Sequence, residues 1–157
     1  MSDERDEMER RQVVALEPDL FFAVKITDTL KRAGFQTRIA RNAAAFRDYL
    51  EGEGYALALV NTAARGIDWQ AGVISAREVG VPVIAYGPHV DLDTQAAARA
   101  AGATRVITNS RLAELPAIIE RVIARTSGQA ALRSGTADDS SLSAKGDDEQ
   151  FDERPDY

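Results

Sequence analysis

Cysteine is absent from the 157-residue chain, which excludes disulfides, thiol catalysis and cysteine-ligated zinc or iron–sulfur centres. Histidine occurs once, at His89. A histidine-based metal site or a serine–histidine–acid triad would have to pass through that residue, and no second ligand or nucleophile stands at a suitable spacing from it. Long apolar runs are also lacking, since none approaches the roughly 20 residues that span a bilayer. Residues 1–12 are charged and mixed in sign, without the apolar stretch of a secretory signal, so the expectation is a cytoplasmic protein with no membrane partner. Basic surface is scarce: Asp and Glu outnumber Lys and Arg by 25 to 19, for a net charge of −6. Nucleic acid is therefore not an expected partner, because phosphate binding relies on clustered cations.

What is present is enough apolar character, 45% of the chain, for one domain with a continuous core. Short apolar runs alternate with longer stretches of helical period, the pattern of βα units around a parallel sheet. The strands read as Val13-Val14-Ala15-Leu16, Gln36-Thr37-Arg38-Ile39-Ala40, Ala56-Leu57-Ala58-Leu59-Val60, Val81-Pro82-Val83-Ile84-Ala85 and Arg105-Val106-Ile107. The first, third and fourth are nearly all apolar, as strands covered on both faces are, whereas the second alternates and is expected at an edge. Helices are expected over residues 19–33, 43–51, 69–78, 91–101 and 111–125.

Helix ends are marked by residue type. Gly34 and Gly102 suit left-handed C-terminal caps, and Asn42, Asp91 and Ser110 can accept from free N–H groups at helix starts. On the last helix Leu112, Leu115, Ile119 and Val122 share one face, with Arg111, Glu114 and Arg121 turned outward. After Arg125 the composition shifts to Ser, Gly, Ala and Asp. Residues 126–157 hold eight acidic residues against Arg133, Lys145 and Arg154, which is about −5 of the total charge. Such a segment is expected to be a disordered acidic tail, either a solvated solubility tail or an interaction tail anchored by Phe151 and Tyr157. The expected organisation is a charged segment at 1–11, a domain at 12–125 and the tail at 126–157.

Four places at the carboxyl ends of the strands carry a more specific signal. Leu16-Glu17-Pro18-Asp19 ends the first strand, with Glu17 seventeen residues before Gly34. Asn61 ends the third, and Gly66 follows five residues later in Thr62-Ala63-Ala64-Arg65-Gly66. Gly87 ends Val81-Pro82-Val83-Ile84-Ala85-Tyr86-Gly87, and Asn109 stands in Val106-Ile107-Thr108-Asn109-Ser110. On these residues the stretch 12–125 resembles the receiver domain of two-component response regulators. The resemblance implies a flavodoxin-like, doubly wound α/β fold: a five-stranded parallel sheet in the order 2-1-3-4-5, with five helices and its site at the carboxyl edge. In that family the four places hold acidic magnesium ligands, a phosphoaccepting aspartate, a Ser or Thr, and a lysine.

Here Glu17 keeps one acid, Pro18 replaces the second, Asn61 stands at the acceptor place, Gly87 at the hydroxyl place and Asn109 at the lysine place. An amide cannot serve as the carboxylate nucleophile that forms an acyl phosphate, no hydroxyl remains at position 87, and the cation that would pair with phosphate is missing. The resemblance is thus to a degenerate pseudo-receiver. Ala85-Tyr86-Gly87-Pro88-His89-Val90-Asp91 also looks like a loop of bacterial receiver-like proteins.

Each place has two readings. Glu17 and Asp19 either bind Mg²⁺ or serve as loop acceptor and helix cap; Asn61 and Asn109 either bond each other or a ligand, or belong to a satisfied polar cluster. His89 either touches a ligand or reports pH, or is an exposed loop residue. Phe21, Phe22 and Trp69 form a contact patch or pack in the core. No lone glycine turn here makes a nucleotide cradle, and no cofactor is expected. The leading expectation is a non-enzymatic module that binds a protein partner without a phosphorylation switch, with a homodimer through the Ala-rich fourth helix and the fifth. The alternative is a sensor whose crevice, lined by Glu17, Asn61, Gly87 and Asn109, binds a metabolite or nucleotide.

Overall fold

A computed structural model describes residues 11–52, 54–89 and 91–135. The charged segment before residue 11 and the acidic segment from residue 136, with Phe151 and Tyr157, lie outside them. Five strands, β1 (Gln12–Leu16), β2 (Gln36–Ala40), β3 (Leu57–Asn61), β4 (Val83–Gly87) and β5 (Arg105–Thr108), form one parallel sheet in the order β2-β1-β3-β4-β5. Helices α1 (Leu20–Arg32), α2 (Ala43–Gly52), α3 (Trp69–Glu78), α4 (Leu92–Ala101) and α5 (Leu115–Gly135) connect and cover it. Among the described residues no helix is long and apolar enough to cross a membrane.

The sheet's two faces follow from the two-residue period of a strand. Val13, Ala15, Leu57, Leu59, Ile84 and Ile107 face α1 and α5, where they meet Ile26, Leu30, Leu115 and Ile119. Val14, Leu16, Ala58, Val60 and Val83 point the other way, onto Phe46, Leu50, Val73 and Ala76 of α2 and α3. The central strands β1 and β3 are sealed from Val13 to Leu16 and from Leu57 to Val60. Each fully buried Val or Leu contributes roughly 1.5–3 kcal/mol, so these two strands hold their carboxyl ends rigidly. β2 lies at an edge, its residues alternating between exposed and partly covered, as its polar–apolar alternation indicates.

Of the boundaries that differ from the sequence reading, three have a backbone reason. β4 starts at Val83 rather than Val81. Pro82 has no N–H for the ladder, and the Val81 N–H is drawn back to the Ala76 carbonyl at 3.0 Å, closing the end of α3. The last helix is preceded by a 3₁₀ turn over Asn109–Glu114, so Ser110 sits inside that turn and is not an N-cap. Pro116 cannot donate to the Leu112 carbonyl four residues back; the Leu115 N–H takes that acceptor instead, in the tighter three-residue pattern.

At its other end α5 continues to Gly135, ten residues past Arg125, where the composition shift placed a stop. The helix end expected at Arg125 is therefore corrected to Gly135. The stretch contains no proline and includes Gln129, Ala130, Ala131, Leu132 and Arg133, residue types that favour helix once one is already running.

The other caps are where residue chemistry puts them. Asn42, Asp68 and Asp91 accept from the N–H groups of Ala45, Ala71 and Thr94 at 2.8, 3.1 and 2.7 Å. Gly34 and Gly102 take positive φ of 89° and 112° just beyond α1 and at the end of α4.

Candidate functional site

The carboxyl ends of β1, β3 and β4 are neighbours in register: Leu16 pairs with Val60, and Asn61 with Tyr86. Glu17, one residue beyond β1, is therefore set beside Asn61. Its side chain is fully buried, and three donors converge on it. The Asn61 Nδ2 donates to Oε1 at 2.9 Å and the Tyr86 hydroxyl donates to the same oxygen at 2.7 Å. The Asp19 backbone N–H donates to Oε2 at 3.1 Å. The other end of the Asn61 amide is used as well, its Oδ1 accepting the Ala63 N–H at 2.7 Å. Asn61 thus ties the end of β1 to the loop after β3, and the Glu17–Asn61–Tyr86 cluster is closed.

Tyr86 has no exposed surface. Burial first, and then the negative Glu17 side chain and the hydrogen bond to it, push the phenol well above its usual range. It is a donor held in place, with no access for a substrate.

Gly87 shows a different substitution. A Cβ added there would collide with the Thr62 hydroxyl oxygen, so residue 87 has to be glycine while Thr62 keeps its place. Thr62 donates its backbone N–H to the Tyr86 carbonyl at 2.8 Å and its hydroxyl to the same oxygen at 3.3 Å. Position 87 itself carries no hydroxyl. The neighbouring strand end supplies one, but it is spent on the backbone.

Outside this cluster opens a cleft of about 460 Å³ between the loops after β1, β3, β4 and β5. Glu17, Asp19, Asn61 and Asn109 line it, as the sequence places them; Gly87 and His89 do not. Pro88 takes the wall position instead, and Phe22 and Arg65 join it unforeseen. Asn61 and Asn109 are not bonded to each other: Asn109 Oδ1 is buried without a hydrogen-bond partner. Asp19 caps α1 by accepting the Phe21 N–H at 2.8 Å.

His89 is exposed in the loop before α4. There the Thr94 N–H bond holds the Asp91 carboxyl below its ordinary range, with a lesser pull from His89. Of the aromatic residues, Phe22 and Trp69 are partly buried against the core, whereas Phe21 is 71% exposed.

The arrangement does not fit the divalent cation that the resemblance implies. A magnesium ion is held through carboxylate oxygens, yet both oxygens of Glu17 face protein donors, two of them on Oε1. Among the described residues no group of three or more His, Asp or Glu side chains is gathered for a metal. Nor does the site offer a nucleophile, since Asn61 is an amide engaged at both ends.

Comparison with solved structures locates the fold. The chain is similar to the CheY-like response regulator receiver domain protein of Methanospirillum hungatei JF-1, with a TM-score of 0.69 and 17% identity over 76% of this chain and 98% of that one. The fold is that of a receiver domain. A sensor histidine kinase receiver domain from Pseudomonas aeruginosa PAO1, with magnesium coordinated in its active-site cleft, matches the same frame. Its TM-score is 0.65 at 18% identity, covering 73% of this chain and 98% of that domain.

A third match is a response regulator from Burkholderia pseudomallei with a phosphorylated aspartic acid, calcium and citrate. It aligns with a TM-score of 0.66 and 13% identity over 78% of this chain and 74% of its own. No protein-family model matches the sequence, and neither does any curated protein. In the receiver frame, Tyr86 and Thr62 are the site residues that sequence reading passed over.

Proposed function

We propose that this receiver-fold domain is a non-enzymatic pseudo-receiver: a cytoplasmic regulatory or scaffolding module of bacterial signalling that binds a protein partner without being switched by phosphorylation. The observation that carries this reading is the Asn61 amide, bonded to Glu17 on one side and to the Ala63 N–H on the other. It stands at the place the resemblance gives to the phosphoacceptor, and it makes the bonds of a fixed strut.

Protein contact is favoured by unsheathed apolar side chains. On α1, Leu20, Phe21 and Val24 are 59%, 71% and 66% exposed, and Leu92 at the start of α4 is 75% exposed. Large apolar groups exposed together on one helix, as Leu20, Phe21 and Val24 are, mark interaction surfaces. Leu92 and the small Ala96 and Ala100 of α4, all exposed, suit a homodimer through α4 and α5.

Incubation with acetyl phosphate and magnesium tests the first part: the intact mass is expected to stay unchanged, and a stable acyl phosphate on any carboxylate overturns it. Light scattering on the wild type and on Leu92→Glu tests the second. A dimer that the substitution splits supports the α4–α5 face, and a monomeric wild type removes it.

A further inference from the structure

We propose that the acidic segment 147–157 of this chain docks across the exposed face of α1 in the same molecule, with Phe151 on Leu20, Phe21 and Val24 and its acids on Lys25 and Arg41. The inference rests on the reading of α1 as a protein-contact face and adds what regulates access to it: the chain's own acidic segment covers the face until a partner displaces it.

The face is built by helical spacing. Leu20 and Val24 stand four residues apart, as do Phe21 and Lys25, so the four side chains share one side of the first turns of α1 and all are exposed there. Phe21 meets Phe22 edge to face, the ring centroids 5.6 Å apart. The partly buried Phe22 thus props a ring that stays open to solvent. Cations rim the patch. Lys25 and Lys31 make no ion pair among the described residues, and Asp28, the one carboxylate of α1, is taken by Arg32 at 2.9 Å. At the first turn the exposed Arg41 guanidinium donates to the Pro18 carbonyl at 3.2 Å, which sets it two residues from Leu20. Asp19 accepts the Phe21 N–H as the helix cap.

Charge selects both the face and its occupant. Away from α1 the most exposed large apolar side chain is Leu92, and Asp91 and Asp93 flank it. An acidic segment is repelled there and attracted to α1. Residues 147–157 hold six acids against Arg154, and Phe151 sits among them in Asp147-Asp148-Glu149-Gln150-Phe151-Asp152-Glu153. An aromatic ring within a run of carboxylates is the complement of an aromatic patch rimmed by lysine and arginine. The acidic residues before Arg11 include no aromatic side chain.

The chain is long enough to make the contact. α1 and α5 start at the same edge of the sheet and pack side by side. A segment leaving Gly135 therefore returns over about one length of α5, roughly 30 Å for its 21 residues. The sixteen residues from Gly135 to Phe151 span up to about 50 Å. A tether of this length holds the segment at an effective concentration on the order of millimolar. A contact that is weak between separate molecules is then populated within one.

The absence of cysteine lets one nitroxide label be placed by a single substitution. On Gln150→Cys of the full, isotope-labelled chain, the nitroxide is expected to broaden the amide signals of residues 20–25 and to leave those of residues 92–98 sharp. Phe151→Ala and Lys25→Glu are each expected to restore most of the lost intensity. Raising the ionic strength to about 1 M, where the Debye length is about 3 Å, is expected to restore part of it.

Broadening that is absent, that falls on another part of the domain, or that survives Phe151→Ala or Lys25→Glu overturns the proposal. Broadening that disappears on dilution with unlabelled chain belongs to the segment of a second copy and overturns docking within one molecule. Covalent phosphorylation is read by mass in a separate assay. A bare α1 on a chain that takes no phosphate strikes this inference and spares the pseudo-receiver reading, and an acyl phosphate on a chain with a covered α1 does the reverse.

Discussion

The inner and outer walls of one cleft have been treated oppositely. On the inner wall, at the ends of β1, β3 and β4, every polar group is matched: Glu17 has three donors and Asn61 is bonded at both ends. On the outer wall, beyond β5, the Asn109 amide oxygen is buried and alone. The difference teaches how a receiver fold can hold a carboxylate in its core without collapsing. A carboxylate in the core must be paired or it destabilises the fold. Here an amide and a phenol pair it. The outer wall held no such obligation, and its polar group stands unmatched.

If the inner wall is a structural lock, breaking it at its centre is the largest perturbation. Glu17→Leu removes the shared acceptor and leaves the Asn61 amide, the Tyr86 hydroxyl and the Asp19 N–H without it. Each buried donor left unsatisfied costs about 1–3 kcal/mol, so a total loss of at least about 3 kcal/mol is expected as a fall in the urea midpoint. A loss below about 1 kcal/mol would mean that the three donors find water instead, and that the wall is not closed.

Asn61→Asp converts the same lock into a pair of facing carboxylates. The substitution deletes the Nδ2 donor that lies 2.9 Å from Glu17 Oε1 and puts an acceptor in its place. Without divalent cation a destabilisation of about 2–4 kcal/mol is expected, in the range for breaking a buried polar pair. Magnesium should restore part of it in the variant and leave the wild type unmoved, because only the variant offers two adjacent carboxylates with the Asp19 carboxylate close in sequence. A wild type whose melting temperature rises with magnesium would contradict the poor fit of Glu17 to a metal.

These effects rest on contacts that are unequally legible in the sequence. The covered and edge places of the strands are legible, because β1 and β3 are unbroken apolar runs and β2 alternates, whereas the full order 2-1-3-4-5 is what the receiver resemblance implies. Legible too are Glu17 and Asn61, which end apolar strands at the carboxyl edge. Tyr86 is not: inside Val83-Ile84-Ala85-Tyr86-Gly87 it reads as one more core residue, and its role depends on the pairing of Asn61 with Tyr86 across two strands. Local pattern carries no register. The reason for Gly87 is hidden in the same way, since it lies in the Thr62 hydroxyl of the adjacent strand. The 3₁₀ turn before α5 was written in Pro116, but only once the helix start is known does its missing N–H fall on the Leu112 carbonyl.

Tyr86→Phe removes one of the two donors on Glu17 Oε1 while keeping the ring, so a smaller loss of about 1–2 kcal/mol is expected at neutral pH. The pH dependence sharpens the assignment. The folded phenol titrates well above the ordinary tyrosine range, because burial and then Glu17 oppose its ionisation. Its stabilising contribution is complete below the unfolded value and declines as pH rises above it, where the unfolded chain releases a proton that the folded chain keeps. The wild type should therefore lose stability in this alkaline range more steeply than Tyr86→Phe. Parallel curves for the two proteins would place the hydroxyl in water.

The outer wall supplies the smallest effect and the sharpest contrast. Asn109→Leu replaces a lone buried acceptor with an apolar group of similar size beside Phe22 and Pro88. Replacing an unpaired polar group in this way is close to neutral or stabilising, so a change between about 0 and 1 kcal/mol, in the stabilising direction, is expected in the urea midpoint. Should Asn109→Leu instead destabilise the protein as much as Tyr86→Phe does, the amide has a structural partner and the two walls are alike. A neutral result leaves Asn109 free of any duty to the fold and keeps the two walls distinct.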